Sequence, residues 1–168
     1  VNVAAVPEGL VESELFGHAR GAFTGASSAR GGCFIAAESG TLLLDEVGDL
    51  DLHSQAKLLR VLEEQRVRPV GEDKVTQINA RVLAATSRNL EQLVREGRFR
   101  QDLFYRLNVL RIHVPALRER REDIPLLVES FVRDAAKRHN KGNLQIDSEL
   151  MEWLKVHHWP GNVRQLKN

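Results

Sequence analysis

The sequence predicts an α/β fold, in which helices cover both faces of a mainly parallel sheet and a small helical subdomain follows. Two short apolar runs, at 40–46 and 81–86, are typical of buried strands. Segments with helical spacing alternate with these runs, which is the order found in parallel α/β sheets. After Pro115 the alternation stops and only helical periodicity continues.

The composition is that of an ordinary globular protein. Of the 168 residues, 42% are hydrophobic and 28% are charged, with 24 basic and 23 acidic side chains interleaved along the chain. A nucleic-acid surface needs a concentrated basic face, so we do not expect this chain itself to bind DNA. We also expect neither a membrane span nor a signal peptide. One cysteine, Cys33, allows no internal disulfide and no cysteine zinc site, which favours a cytoplasmic protein.

Both ends of the sequence fall inside predicted elements. Val1 and Val3 fit a strand that has no methionine before it, and Asn168 falls a few residues into a predicted helix. We therefore expect a domain that is incomplete at both ends.

The first strand and helix of the pattern lie between residues 40 and 65. The apolar run at 40–46 predicts a strand buried on both faces, ending in Asp45 and Glu46. A helix is predicted over 55–65, because its leucines fall on one face at Leu58, Leu59 and Leu62.

A hairpin, a second strand and a short helix come next. The segment 67–78 predicts a hairpin that turns at Gly71, Glu72 and Asp73. A second buried strand is predicted over 81–86. The following helix, 90–96, has Asn89 as its cap and Gly97 as its stop.

The character of the sequence changes near residue 117. A third strand is predicted just before this point from the alternation of Leu110, Ile112 and Val114. We place a domain boundary here, with an α/β subdomain at 1–117 and the start of a helical subdomain at 118–168. The predicted caps of its helices are Asp123, then Asp147 or Ser148, and finally Asn162.

The acidic pair at the end of the first predicted strand is a candidate site. Ligands of open α/β sheets lie beyond the carboxyl ends of the strands. Asp45 and Glu46 are adjacent, so their side chains point to opposite sides and should do different work. One carboxylate can hold a magnesium ion, and the other can polarise an attacking water. The alternative is that the pair merely begins a polar loop.

A second candidate is a glycine-flanked segment formed by Gly21, Ala22, Phe23, Thr24, Gly25 and Ala26. The glycines allow a tight reversal that makes the middle residues project. An apolar Phe23 at an exposed tip indicates a surface that meets a partner. The alternative is a buried turn with Phe23 in the core.

Several segments together closely resemble the sigma-54-dependent activators of the AAA+ class, also called bacterial enhancer-binding proteins. They occur in the family order at 12–18, 21–26, 40–46, 55–62, 99–107, 115–120 and 159–166. The resemblance covers essentially the whole chain. It implies a P-loop-type AAA+ three-layer sandwich with a helical lid, incomplete at both ends.

The resemblance implies a role for each matching residue of the nucleotide site. Asp45 matches the magnesium-associated acid, and Glu46 matches the acid that activates water. Asn2 matches an asparagine that contacts this glutamate, and Thr86 matches the first sensor near the γ-phosphate. Asp45, Glu46, Asn2, Thr86 and Arg164, the second sensor, are thus the expected nucleotide contacts.

Two arginines match those that the family offers to the nucleotide of a neighbouring subunit. These are Arg100 and Arg106, and an arginine supplied in trans can stabilise the charge of phosphoryl transfer. Both lie close in sequence to Glu96 and Asp102, so plain surface ion pairs are the alternative.

The function implied by the resemblance is that of an ATP hydrolase that uses ATP and Mg²⁺ and forms a ring, for which the family implies a hexamer. Its loop at 21–26 would engage sigma-54 and remodel the closed complex of RNA polymerase, while DNA is bound by a helix-turn-helix outside this chain. The alternative is an interaction module that binds sigma-54 or another partner without hydrolysis. Phe23 and Thr24 argue against a general AAA+ chaperone or helicase.

Two departures from the family pattern bear on this hypothesis. No Gly-x-x-x-x-Gly-Lys-Ser/Thr stretch occurs in the 168 residues; in the family this phosphate-binding loop lies before the position of Asn2. Ser87 also stands where the family often has asparagine. We therefore expect residues 1–168 alone to lack ATPase activity.

Overall fold

The structure, a computed structural model, describes residues 1–142 and 144–168. Two compact units are present, Val1–Arg111 and Ile112–Asn168. The helices are α1 Val11–Phe16, α2 Cys33–Ala36, α3 Leu52–Glu64, α4 Leu90–Arg95, α5 Gln101–Leu107, α6 Ile124–Arg138, α7 Ser148–Val156 and α8 Asn162–Lys167. The strands are β1 Gly17–His18, β2 Arg30–Gly31, β3 Thr41–Leu44, β4 Arg66–Val67, β5 Thr76–Gln77 and β6 Arg81–Ala84.

Strand β3 lies at the centre of the parallel sheet of the first unit. On one side it pairs in parallel with β6, in a register that runs from Thr41 opposite Arg81 to Leu44 opposite Ala84. On its other side, the Val1 carbonyl accepts from the Asp45 N–H at 2.8 Å. The start of the chain is thus paired like a strand, as predicted, although it turns into a short 3-10 segment at Val3–Ala5.

Strand β3 is buried on one face only and β6 has no buried residue, so the prediction of strands buried on both faces is wrong. Leu42 and Leu44 are buried under the helices. Leu43 is 49% exposed and Leu83 is 44% exposed, and these two residues are register partners. Alternate side chains of a strand point to opposite faces, and no element of the described residues covers the second face.

Helix α3 is the predicted helix 55–65, but it begins three residues earlier. The reason is Asp51, whose carboxylate accepts from the His53 N–H at 2.8 Å and the Ser54 N–H at 3.0 Å. This capping satisfies amides that the first turn leaves without partners. Leu58 and Leu59 are buried in the core of the unit, as the spacing predicted.

The predicted hairpin and the predicted short helix are confirmed. Strands β4 and β5 pair antiparallel, and Gly71 in the turn between them has a φ of +76°. Asn89 caps α4 through a 3.1 Å hydrogen bond from the Gln92 N–H, and Gly97 follows with a φ of +68°.

The predicted third strand is absent from the structure. Leu110, Ile112 and Val114 lie in irregular backbone and are 80%, 81% and 72% exposed. The alternation is that of a strand, but a strand also needs a neighbour for its backbone groups. Within residues 1–142 and 144–168, the backbone of 110–114 finds no hydrogen-bond partner.

The second unit is helical, as predicted, with a core of Leu117, Ile124, Val128 and Trp159. Asp147 caps α7 by accepting from the Glu149 N–H at 3.2 Å. The other two predicted caps are corrected. The carboxylate of Asp123 makes no capping bond within the described part of the chain, because a 3-10 turn at Arg121–Asp123 leads directly into α6.

Asn162 is the first residue of α8 rather than its cap, a position that Gly161 occupies. Its side-chain oxygen instead accepts from the Leu117 N–H at 2.9 Å. Asn162 therefore ties the last helix to the start of its own unit. None of the helices in the described residues has the length and apolar character needed to cross a membrane.

Candidate functional site

The acidic pair lies where the sequence places it, at the carboxyl end of β3. Asp45 is half-buried, and its Oδ1 accepts from the Glu46 N–H at 3.1 Å. Its Oδ2 accepts from the side-chain amide of Asn2 at 3.3 Å. Asp45 therefore keeps a carboxylate at the edge of the sheet where ligands of open α/β folds bind.

Glu46 has an unusual backbone conformation, with φ 56° and ψ 44°. This left-handed region costs a non-glycine residue about 1–2 kcal/mol. Strain of this kind is concentrated at functional sites. It turns the chain sharply after Asp45, so that the Glu46 carboxylate points towards the end of the neighbouring strand β6.

Ser87 receives the Glu46 carboxylate at the end of β6. The Ser87 N–H donates to Oε2 at 3.0 Å, and its hydroxyl donates to the same oxygen at 2.9 Å. The expected contact between Asn2 and Glu46 is therefore not the one observed. Asn2 lies opposite Asp45 in the parallel pairing, whereas Glu46 leaves that pairing at its left-handed turn.

Thr86, the expected first sensor, is half-buried beside Gly48. Its Oγ1 accepts from the Arg88 N–H at 3.1 Å. A Cβ on Gly48 would lie 2.8 Å from this Oγ1 and 3.3 Å from a methyl carbon of Leu90. Glycine is therefore required at position 48 for the segment after the acidic pair to approach Thr86 so closely.

The two candidate arginines lie at opposite ends of α5. Arg100 donates from Nε and Nη2 to the Asp102 carboxylate at 3.0 and 2.7 Å. This pairing lowers the pKa of Asp102 and raises the pKa of Arg100. Arg106 donates from Nη2 to the Leu62 carbonyl at 2.8 Å. Arg100 therefore forms the surface ion pair that the sequence offered as the alternative, whereas Arg106 binds a backbone carbonyl instead.

The segment 21–26 forms a compact loop between β1 and β2. The Gly21 N–H donates to the Ala26 carbonyl at 2.8 Å, and Gly25 has a φ of +105°. Thr24 is exposed, while Phe23 is half-buried with its ring edge-on to His18 at a centroid distance of 5.1 Å. Phe23 is therefore at the surface end of the loop, outside the buried core.

The loop is supported from two sides within the first unit. A Cβ on Gly71, in the turn of the β4–β5 hairpin, would lie 2.8 Å from the Cβ of Ala22. At the loop base, Glu14 of α1 accepts from Arg30 of β2 at 2.5 Å. The hairpin and α1 thus hold the loop in place. Arg164, the expected second sensor, is exposed on α8 of the other unit.

A comparison with family models identifies the first unit. The model described as the sigma-54 interaction domain matches residues 1–113. The chain belongs to this sigma-54 interaction domain family. A second model, the AAA+ ATPase lid domain, matches residues 118–168. The α/β fold with a helical lid is thus the AAA+ fold, as the sequence predicted.

Transcriptional regulators are among the curated relatives of this sigma-54 interaction domain. The transcriptional regulatory protein GlrR of Escherichia coli K12 is 54% identical over 168 residues, which is all of this chain and 38% of that protein. The regulatory protein AtoC of the same organism is 49% identical over the same length, or 36% of its own chain. This chain thus spans little more than a third of these relatives.

Solved structures of NtrX from Brucella abortus have the same fold. The complex with ADP superimposes with a TM-score of 0.91 at 41% identity, covering 100% of this chain and 36% of NtrX. The complex with ATP gives a TM-score of 0.90 at the same identity, coverage and share of NtrX.

Two residues of this site gained a role only from the structure. The sequence marked Ser87 as a departure from the family pattern, whereas it is the side chain that binds Glu46. Gly48 was not singled out at all, although its position just after the acidic pair could have indicated a close approach. Neither role has a local sequence pattern, because both depend on the pairing of β3 with β6.

Proposed function

We propose that this chain is the ATP-hydrolysing module of a transcription activator that remodels the closed complex of sigma-54 RNA polymerase. The observation that carries the proposal is the pair Asp45 and Glu46 at the carboxyl end of β3, beside Thr86 and Ser87 at the end of β6. A cytoplasmic location and a subdomain boundary at 117/118 belong to the same proposal.

Asp45 has the chemistry of a magnesium ligand. Mg²⁺ keeps several waters and takes one or two carboxylates together with substrate phosphates, rather than a cage of protein groups. This agrees with the described residues, in which no cluster of three or more acidic, histidine or cysteine side chains is found. When bound, Mg²⁺ would neutralise phosphate charge, and Asn2 would orient the Asp45 carboxylate through its 3.3 Å hydrogen bond.

Glu46 is assigned the role of activating the attacking water. Its carboxylate would accept a proton from that water. Hydrogen bonds from Ser87 orient this carboxylate in the structure, and its remaining lone pairs are available to a water. Thr86 and Arg164 are assigned to sensing the nucleotide. NtrX, which has the same fold, was solved in complex with ADP and with ATP, and this supports a nucleotide as the ligand.

Arg100 and Arg106 are assigned to the nucleotide of a neighbouring subunit in a ring, with a hexamer as the expected size. The loop at 21–26, with Thr24 at its exposed tip, is assigned to sigma-54. Binding to DNA is assigned to a helix-turn-helix outside residues 1–168. The similarity to GlrR, a transcriptional regulatory protein, and to AtoC, a regulatory protein, supports this role.

One observation favours a second candidate, a module that binds a partner without hydrolysis. The 168 residues contain no Gly-x-x-x-x-Gly-Lys-Ser/Thr loop for the phosphates. Residues preceding Val1 in the full-length protein decide between the two. A phosphate-binding loop there supports hydrolysis.

Two substitutions in the full-length protein test the proposed function. Glu46→Gln should keep nucleotide binding but lower ATP turnover by a factor on the order of 10²–10⁴, because the proton acceptor is lost. Thr24→Ala should leave turnover within about twofold and abolish promoter opening, because this exposed residue is assigned to the sigma-54 loop and not to the nucleotide site.

Ser27→Ala, at an exposed position just beyond the loop, is the matched control and should change neither activity. Turnover is measured by phosphate release, and promoter opening by permanganate reactivity of the melted DNA. Normal turnover by Glu46→Gln would contradict the assignment of the acid. Normal promoter opening by Thr24→Ala would contradict the assignment of the loop.

A further inference from the structure

Gln55 is a fully buried polar side chain in the middle of the first unit. It lies on α3 and has 0% exposure. An amide moved from water into a protein interior is costly unless its hydrogen bonds are remade. A glutamine at this position therefore needs specific partners, and the structure provides them.

The Gln55 amide makes three hydrogen bonds, all to backbone groups. Its Nε2 donates to the Leu50 carbonyl at 2.7 Å and to the Arg98 carbonyl at 3.0 Å. Its Oε1 accepts from the Arg100 N–H at 2.8 Å. Both donor hydrogens and the acceptor oxygen are thus used.

These partners belong to two segments with different proposed roles. Leu50 follows the short turn Val47–Asp49, which begins directly after Glu46. Arg100 is the residue at the start of α5, the helix that carries both candidate arginines. Gln55 therefore joins the segment after the acidic pair to the start of the arginine helix.

The contact to Arg100 is made through the main chain, so the arginine side chain stays at the surface. That side chain is 41% exposed and its guanidinium lies against Asp102. The neighbouring Phe99 is 2% exposed and anchors the same segment in the core. The hydrogen bond from the Arg100 N–H thus determines where α5 begins and from where Arg100 projects.

The geometry points to Gln55 as a positioning residue that holds Arg100 in the orientation needed to reach the neighbouring subunit's nucleotide. This inference rests on the proposed function, in which Arg100 acts in trans. Gln55 is fully buried and its amide groups are all bonded to backbone, so it is assigned no part in the chemistry. It couples the position of the acids to that of the arginine within one subunit.

The test uses subunit mixing in the full-length protein. Gln55→Met removes the donor and the acceptor while keeping an unbranched chain of similar length. Gln92→Met is the matched control, because Gln92 is exposed and, among the described residues, its side chain hydrogen-bonds only to Glu96, at 2.7 Å. Gln55→Leu, which also removes the donor and the acceptor at similar side-chain volume, replaces Gln55→Met if that variant does not fold.

Gln55→Met alone should lower kcat for ATP hydrolysis by about 10- to 100-fold, since small displacements of a positioned group have effects of this size. KM for ATP should change by less than about threefold, because the acids of the same subunit are intact. The decisive readout is a mixture with Glu46→Gln subunits. At mixed interfaces, Gln55→Met supplies working acids and Glu46→Gln supplies a correctly held arginine.

Activity of this mixture above that of either variant alone supports the inference, because a general defect of the Gln55→Met subunit would not be rescued in trans. A mixture of Arg100→Ala and Glu46→Gln subunits is measured in parallel as the reference for rescue in trans. If only the Arg100→Ala mixture recovers activity, Gln55 does not act through the arginine and the inference is wrong, while the proposed function stands. If neither mixture recovers, the role of Arg100 in trans fails, and the inference fails with it.

Discussion

Glu46 combines backbone strain with a carboxylate held by hydrogen bonds. Its left-handed conformation is needed to turn the chain towards Ser87, whose N–H and hydroxyl both donate to it. The two hydrogen bonds to Oε2 orient the carboxylate, and its remaining lone pairs can still accept from a water. In the proposed mechanism, Ser87 therefore determines the direction in which Glu46 presents its carboxylate.

Gly48 shows how little space the site leaves around Thr86. Gly48→Ala in the full-length protein should lower ATP turnover, because the added methyl would lie 2.8 Å from Thr86 Oγ1 and displace it. Overpacking of this kind typically costs about 1–3 kcal/mol of stability. The measurement is the rate of phosphate release together with the thermal unfolding midpoint.

The control for Gly48→Ala is Gly9→Ala. A Cβ at Gly9 meets nothing within 4 Å, and the position lies in a short 3-10 turn of the same unit. This variant should keep normal turnover. Equal losses in the two variants would show that the effect is not due to contact with Thr86.

At the scale of elements, α3 connects the parts of the first unit. Its cap, Asp51, follows the acidic segment, and Gln55 bonds to the segment before α5. Lys57 donates to Glu12 of α1 at 2.5 Å, and the Leu62 carbonyl accepts from Arg106. The acids, the arginine helix and the helix that supports the loop at 21–26 therefore all depend on the placement of one helix.

The cap of α3 has a testable dependence on pH. Burial tends to raise the pKa of Asp51, but hydrogen bonds from Ser54 and His53 outweigh it and lower the pKa. The folded state thus binds this proton more weakly than the unfolded state. The stabilisation is present above the ordinary pKa of about 3.9 and is lost as pH falls through the lower folded value.

Asp51→Ala should therefore weaken α3 at pH 7 by about 1 kcal/mol, the usual value of a cap. Amide hydrogen exchange in the first turn of α3 should become about fivefold faster. As the pH falls through the lowered folded pKa of Asp51, the wild type and variant should converge because the carboxyl group is protonated. Glu63→Ala, at an exposed position in the last turn of the same helix, should leave these amides unchanged. A difference that persists in acid would contradict the capping role.

At the scale of the whole molecule, large apolar side chains are exposed on the parallel sheet and after α5 in the first unit. Leu43 and Leu83 form a register pair on the open face. Val109 and Leu110, just after α5, are 84% and 80% exposed. Contiguous apolar surface and unpaired strand-like backbone favour association.

We therefore expect purified residues 1–168 to self-associate, as measured by size-exclusion chromatography with light scattering. They should also bind a fluorescent ATP analogue only weakly and release no appreciable phosphate. A triphosphate needs a loop of backbone N–H groups and a lysine, and without them Asp45 and Glu46 repel it. Tight magnesium-dependent binding, or a monodisperse monomer, would contradict this expectation.

The sequence by itself determined the features that are encoded over a few residues. Apolar runs and helical spacing located β3, β6 and α3, and turn residues located the β4–β5 hairpin. The motif at 40–46 placed Asp45 and Glu46 at the end of a strand, and the family resemblance followed from motifs of similar length. Each of these depends on the local period of side chains along the backbone.

Only the tertiary structure decided which distant residues meet. Ser87 and Glu46 are 41 residues apart, and Gln55 and Arg100 are 45 apart, so no local period links them. The same holds for the strand expected at Leu110–Val114, where alternation was present but a pairing neighbour was not. Strand pairing and buried hydrogen bonds are properties of two segments at once, and their register is set when the sheet and core assemble.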